Sequence, residues 1–111
     1  MTTYCLALDL KDDPTLIAEY KRYHEPGVIW PEVVDRIKSD DVISEEIFLL
    51  GTRMVMVLRT EDHFSFEAKA TIDRANAKMR EWEELMWKYQ EPTPQAKAGE
   101  KWVLMEKIFA V

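Results

Sequence analysis

Two side chains in the first quarter of the chain have the types and the spacing needed for proton transfer. Tyr20 and His24 are four residues apart, so on a helix they project from the same face. An imidazole exchanges protons near neutral pH, and a phenol adds a hydrogen-bond donor. The competing interpretation is structural, with the imidazole packed against a carbonyl and the phenol hydroxyl at the rim of the core. We predict His24 as the catalytic candidate and Tyr20 as its neighbour in the site.

His24 is also expected to lie at the end of its helix. Pro26 and Gly27 follow it closely, and these residue types stop helices because proline lacks an N–H and glycine turns freely. The negative end of the helix dipole and the adjacent Glu25 both favour the charged imidazolium. The sequence therefore predicts a histidine that holds its proton well.

Trp87 is a candidate for ligand contact because of its position on a helix. The apolar stripe of that helix consists of Trp82, Leu85, Met86 and Tyr89. At about 100° per residue, Trp87 points roughly 150° away from this stripe. A tryptophan outside the core often meets a partner chain or a ligand, and the flat C–H face of a sugar stacks well on indole.

Two further positions have both a functional and a structural interpretation. Glu45 and Glu46 lead into a strand, where such a pair is usually solvated, although one carboxylate could hold sugar hydroxyls there. Trp30 precedes Pro31 at the start of a helix, where a hydrophobic staple is the better interpretation and a ligand contact the alternative.

Hydrophobic periodicity predicts the elements that position these residues. Residues 4–10 alternate as a strand, and Asp13 before Pro14 is typical of a capped helix start. Pro31 opens a second short helix, which ends at a polar break in residues 39–41. The first helix therefore carries the predicted site.

The second half of the chain begins with a predicted hairpin. The apolar runs 47–50 and 54–58 flank a short loop that contains a glycine. Asp62 is the predicted cap of a third helix, and a fourth helix ends before Pro92. A final strand is predicted over residues 102–109, interrupted by a glutamate and a lysine.

This order of elements predicts an α+β fold. Strand, helices, strand, strand, helices, strand is the βαββαβ arrangement of a ferredoxin-like sandwich, with four antiparallel strands and helices on one face. Such a sheet leaves its other face bare. Apolar residues on both sides of the hairpin and last strand indicate that a second subunit covers this face. We therefore expect a homodimer through the exposed sheet face, of the dimeric α/β barrel type.

Composition limits the setting and the partners. The 111 residues are expected to form a single domain over 1–111, with a net charge of −6 that argues against nucleic acid. No run of about 18 apolar residues predicts a membrane span. The N-terminus lacks the regions of a signal peptide, and the lone Cys5 has no internal disulfide partner. We expect a cytoplasmic protein.

Several chemistries are not expected. The three glycines are scattered, so no phosphate-binding loop is predicted. The two histidines lie far apart, and with one cysteine they give no zinc-binding spacing. No Gly-x-Ser-x-Gly motif is present. We therefore expect no metal and no cofactor, and a proton-transfer reaction on a small polar molecule.

The chain resembles the L-rhamnose mutarotases. Tyr-Lys-Arg-Tyr-His at 20–24, followed by Ile-Trp-Pro-Glu at 29–32, is similar to that family's Tyr-x-x-x-His…Ile-Trp-Pro-Glu signature. Trp-Lys-Tyr at 87–89 looks like the motif after its third helix, and the segment 102–109 is similar to its C-terminal strand. The resemblance covers nearly the whole chain. It implies a dimeric ferredoxin-like fold and interconversion of the α and β anomers of a 6-deoxy-L-sugar.

The resemblance also implies roles for single residues. His24 matches the family's proton-donating histidine, Tyr20 its substrate-binding tyrosine, and Trp87 the second of two adjacent tryptophans at the sugar. The chain departs from the pattern where Met86 replaces the first of those tryptophans and Glu45 replaces a tyrosine. The segment after the histidine is also longer. These departures concern sugar contacts, so L-fucose is a candidate substrate beside L-rhamnose.

Two other functions fit the predicted fold. Small dimeric ferredoxin-like proteins include oxygenases, either cofactor-independent or linked to haem, that act on aromatic or haem-like molecules. A non-catalytic small-ligand-binding module is the third possibility. It would bind a sugar, with Trp87 as one contact, without accelerating anomer exchange.

Overall fold

The computed structural model describes all 111 residues and confirms the α+β fold. It contains five strands and four helices, none of which is long and apolar enough to cross a membrane. In chain order the elements are β1 (Thr2–Leu10), α1 (Pro14–Tyr23), α2 (Pro31–Lys38), β2 (Val42–Leu50), β3 (Arg53–Thr60), α3 (Phe66–Ala75), α4 (Ala77–Trp87), β4 (Gln90–Glu91) and β5 (Val103–Leu104).

The sheet is antiparallel and has the strand order β2-β3-β1-β4, with β5 also paired to β1. The fourth position of the ferredoxin-like sheet is thus shared, because β4 pairs with the Leu10 end of β1 and β5 with its Leu6–Ala7 stretch. The predicted final strand over 102–109 is therefore wrong in length. Backbone pairing stops after Met105, whose N–H donates to the Cys5 carbonyl at 2.8 Å.

The starts of α1 and α3 test the two predicted helix caps, of which one is confirmed and one is wrong. Asp13 caps α1 as predicted, since its carboxylate accepts from the N–H groups of Thr15 and Leu16. The predicted cap at Asp62 is wrong, because Ser65 caps α3 instead. The antiparallel pairing of β1 and β3 brings Asp62 to the chain's N-terminal amine, which lies 2.7 Å from its carboxylate.

All four helices lie on one face of the sheet. Directly opposite residues of an antiparallel pair share a face, so Leu8 of β1 and Met54 of β3 both point toward the helices. The buried cluster fills the end of this face near Leu10, whereas the end near Leu6 and Leu58 is open. Its members are Leu8, Leu10, Tyr20, Val33, Met54, Met79, Trp82, Met86 and Tyr89.

The opposite face of the sheet has no covering element in the protomer. Phe48 and Leu50 project from it and are 58% and 85% exposed. Ion pairs flank this apolar surface, one between Arg53 and Asp9 and one between Arg59 and Glu46. The last residues of the chain add more exposed apolar side chains, namely Ile108, Phe109 and Val111.

Candidate active site

A cavity of about 590 Å³ occupies the open end of the helix-covered face. Its floor is formed by side chains of the sheet, and its walls come from all four helices and from the segment that leads into β5. Most lining side chains are apolar, and the volume is typical of small-molecule sites, roughly 300–1,000 Å³. The polar side chains that line it include Tyr20, His24, Glu45, Lys69, Glu83 and Gln90.

His24 follows the last residue of α1, and its ring is fixed by that helix. Nδ1 lies 2.7 Å from the carbonyl oxygen of Tyr20, a contact that favours the tautomer with its proton on Nδ1. Nε2 is then the nitrogen available for proton exchange. The imidazole packs on the Tyr20 ring, with centroids 4.4 Å apart, and on the edge of Trp82 at 5.5 Å. These contacts hold the ring in the wall of the cavity.

The protonation state of His24 differs from what the sequence suggests. Burial lowers the pKa of the imidazole, and the contact with the Tyr20 carbonyl opposes this shift only in part. The helix end and Glu25 were expected to favour the imidazolium. Glu25 is exposed to water, however, whereas the ring packs against Trp82, so the cost of burying the charge dominates. A neutral imidazole must begin a proton-transfer reaction as the proton acceptor.

Tyr20 supplies a neutral phenol beside the histidine. Its side chain is buried, and burial raises its pKa to about 12, so the hydroxyl keeps its proton at neutral pH. The side-chain amide of Gln90 donates to the phenol oxygen at 3.3 Å. The Tyr20 O–H is therefore free to donate toward a ligand.

Glu45 reaches the same cavity from the sheet. Burial raises the pKa of its carboxyl; the Lys69 ammonium opposes this rise, whereas Asp73 and Glu83 reinforce it. Lys69 is itself held 2.9 Å from Asp40 and 3.0 Å from Asp73, so most of its charge is already balanced. The acid form of Glu45 consequently persists to a higher pH than that of a solvated glutamate.

The remaining predicted site residues are distributed differently. Met86 is buried and lines the cavity where it joins the core. Trp30 does not line the cavity; it packs on Trp82 with ring centroids 5.2 Å apart, which agrees with the structural interpretation.

Trp87 borders a second and more open depression. This depression shares Asp73, Glu83 and Trp102 with the cavity, so Trp87 lies next to the cavity rather than in its wall. The indole is 37% exposed, and the Lys101 ammonium sits 4.6 Å from its ring centre.

Sequence reasoning did not assign most of the lining residues to the site, and Trp82, Trp102 and Gln90 are examples. Trp82 was assigned to the apolar stripe of α4 and does belong to the core, yet it also faces the ligand space. Trp102 was assigned to the last strand and lies just before it. Gln90 gave no signal, because a single glutamine after a helix is typical of a solvated loop.

Comparisons with known proteins give a consistent result. Residues 3–111 match the family described as L-rhamnose mutarotase. The L-fucose mutarotase of Xanthomonas campestris pv. campestris is 40% identical over 111 residues, which cover 100% of this chain and 89% of that protein. The UPF0734 protein of Dictyostelium discoideum is 34% identical over 113 residues, covering 96% of this chain and 87% of that protein.

A solved structure supports the fold independently. The crystal structure of an L-rhamnose mutarotase from Formosa agariphila matches with a TM-score of 0.72 at 15% identity, covering 100% of this chain and 99% of that one. At such low identity this similarity shows the fold alone. The family match and the two relatives extend over nearly the full length of the chain, and on that basis the protein belongs to the L-rhamnose mutarotase family.

Proposed function

We propose that this protein interconverts the α and β anomers of a 6-deoxy-L-hexose, with L-fucose as the first candidate and L-rhamnose as the second. Support comes from one observation above all. A neutral imidazole, a neutral phenol and a carboxyl of raised pKa line one mainly apolar cavity of about 590 Å³. Family membership gives the reaction class, and the relative named L-fucose mutarotase orders the two sugars.

The reaction needs one proton removed and one added. Ring opening takes the proton from the anomeric hydroxyl, forms the C1 carbonyl, and breaks the bond between C1 and the ring oxygen, which gains a proton. Rotation about C1–C2 then exposes the other face of the aldehyde. Closure reverses the transfers, so the reaction needs no net proton and no electron acceptor.

We assign these transfers to one group in the helical wall of the cavity and one group on the sheet that forms its floor. Neutral His24 accepts the proton of the anomeric hydroxyl through Nε2, and the acid form of Glu45 protonates the ring oxygen. Tyr20 orients the sugar by donating a hydrogen bond. The shifted pKa values suit this division, since burial favours the neutral base at position 24 and the neutral acid at position 45.

The character of the cavity wall suits a deoxysugar. A 6-deoxyhexose has an apolar methyl group and flat C–H faces as well as its hydroxyls. The indoles of Trp82 and Trp102 and the side chain of Met86 offer apolar surface for these parts.

We further propose that the protein works as a homodimer in the cytoplasm. Phe48 and the other apolar residues of the bare sheet face, with the exposed C-terminal residues, form a surface that a second copy would bury. Phe48→Glu should shift sedimentation from twice the 13.1 kDa chain mass toward the single chain, whereas Val28→Glu, on an exposed bend, should not. The unpaired Cys5 fits a reducing compartment.

Saturation-transfer NMR on L-fucose and L-rhamnose tests the activity. His24→Ala should slow anomer exchange by about 10²–10⁴-fold, since this is the usual contribution of a general acid or base. His63→Ala is the matched control, because His63 is a solvent-exposed histidine that pairs with Asp41 and does not line the cavity. Equal exchange in both variants would remove His24 from the catalytic role. Sugar binding without any acceleration by the wild type would instead favour a ligand-binding module.

A further inference from the structure

Gln90 is a buried polar side chain whose hydrogen bonds are only half made. It lies in β4 opposite Leu10, is 5% exposed, and lines the cavity. Its Nε2 donates to the Tyr20 hydroxyl at 3.3 Å, whereas its Oε1 is buried and has no hydrogen-bond partner in the protein. Buried amide oxygens are nearly always paired, because leaving one without a partner opposes folding.

The unpaired position does not depend on how the amide is oriented. If oxygen and nitrogen exchange places, Tyr20 donates to the oxygen and the NH₂ group is left without a partner. Either way, one polar atom of Gln90 and one hydrogen-bonding capacity of the Tyr20 hydroxyl remain unused. Two adjacent residues that line a largely apolar cavity therefore keep unused hydrogen-bonding capacity.

We propose that Gln90 is a specificity-determining residue that reads one sugar hydroxyl at a carbon where the 6-deoxy-L-hexoses differ. A hydroxyl both donates and accepts, so it can donate to Oε1 of Gln90 and accept from the Tyr20 O–H. A carboxylate or phosphate has no proton to donate to Oε1, so this position favours a neutral hydroxyl over an anionic ligand. This inference rests on the proposed mutarotase function.

The pairing with a hydroxyl gives discrimination as well as binding. A site built to hydrogen-bond a hydroxyl rejects a substrate without it much more strongly than an apolar pocket rejects a change in size, because its own polar groups are left unpaired. An epimer points the hydroxyl elsewhere and has the same effect. Gln90 would thus discriminate between sugars that the apolar wall binds equally well.

Three sugars identify the hydroxyl. L-Fucose and L-rhamnose differ in configuration at C2 and C4, and 6-deoxy-L-glucose shares its C2 configuration with L-fucose and its C4 configuration with L-rhamnose. We would measure anomer exchange and calorimetric binding of all three with the wild type and Gln90→Met. Methionine keeps the length of the side chain and removes the amide. Gln95→Met makes the same change at an exposed position of the following loop and serves as the control.

We expect Gln90→Met to lower kcat/KM at least about tenfold for the preferred sugar, mainly through KM, and much less for the sugar with the opposite configuration at the recognised carbon. Gln95→Met should match the wild type. Gln90→Glu keeps an acceptor oxygen and should retain the order of preference even if its overall rate falls, and it also covers the case that the methionine variant folds poorly.

Equal losses for all three sugars would overturn the proposal, since they would mean that Gln90 only supports Tyr20. An unchanged KM in Gln90→Met would overturn it as well. If the wild type binds these sugars without accelerating exchange, and binding still depends on Gln90 unequally, the proposed activity fails while the assignment of Gln90 stands. If no sugar binds to the wild type, both fail.

Discussion

The two ends of the helix-covered sheet face are built from the same strands but serve different purposes. Near Leu10, the side chains of Leu8 and Met54 are 0% and 1% exposed and meet the helices without a gap. Near Leu6, alternate residues of the same strands form the floor of the cavity. The helix-facing side chains of the strands are mainly apolar at both ends, so the placement of the helices decides which end is filled.

The polar groups follow the same division. At the filled end the helix-facing residues of the cluster are apolar or aromatic. At the open end, Glu45 is partly buried against its electrostatic preference, and where the cavity meets the filled end Gln90 lacks a partner for one atom. Groups held in an unfavourable state gain most from a ligand, so one end contributes stability and the other contributes recognition.

The largest expected effect on stability comes from a substitution at the filled end. Leu8→Ala removes a fully buried side chain and should lower the free energy of unfolding by about 2–5 kcal/mol, because a cavity is left behind. Ile72→Ala also removes apolar side-chain carbons, but from a position of α3 that is 49% exposed, so it should cost much less. Chemical denaturation measures both. Equal costs would show that the end of the face near Leu8 is not filled as described.

The second prediction concerns Glu45 at the open end, where a substitution should stabilise the protein at pH 7 rather than destabilise it. Because burial raises the folded-state pKa of Glu45, its acid form stabilises the fold below the unfolded pKa, and this contribution is lost as pH rises through the folded pKa. Glu45→Gln should therefore raise the melting temperature at pH 7 and change it little at pH 4, while slowing anomer exchange at both.

Glu46→Gln is the matched control for that experiment. Glu46 is the next residue on β2, points to the other face, and is paired with Arg59 in solvent. Removing its charge should not stabilise the protein at pH 7 and should leave anomer exchange unchanged. A gain in melting temperature at pH 7 from Glu46→Gln that equals the gain from Glu45→Gln would show that net charge, rather than burial at the cavity, causes the effect.

The smallest expected effect is on KM, from a substitution of Trp87 next to the cavity. Trp87 lies in the adjoining depression under Lys101, so we expect it to contact a bound sugar only at the rim. Trp87→Ala should raise KM by about two- to fivefold, the loss of one partly exposed stacking contact of roughly 0.5–1 kcal/mol, and leave kcat unchanged. A loss of kcat as large as that of His24→Ala would place Trp87 inside the site.

How much of this was predictable depended on the range of the interactions. Asp13 and Pro14 set the start of α1 through contacts within three residues, and the cap was predicted correctly. Asp62 has the same residue type, but the distant N-terminal amine engages it. The predicted strand over 102–109 was too long because β4 and β5 share one edge of β1, which no local pattern reveals.

The candidate site divides in the same way. Tyr20 and His24 lie on one helix, so their spacing predicted their contact. The side of the sheet that Glu45 occupies depends on its register with β3, which includes an irregularity between Val42 and Ser44. Gln90 reaches Tyr20 across seventy positions of sequence, and its role required the assembled structure.

The hydrogen bond between His24 and the Tyr20 carbonyl has an evolutionary consequence. The imidazole of His24 is oriented by a peptide group one turn earlier in the chain. The surfaces around the ligand come from other helices and from the sheet, and they can change without disturbing that bond. Substitutions at positions such as 86 and 90 can therefore change the lining of the cavity without moving the imidazole.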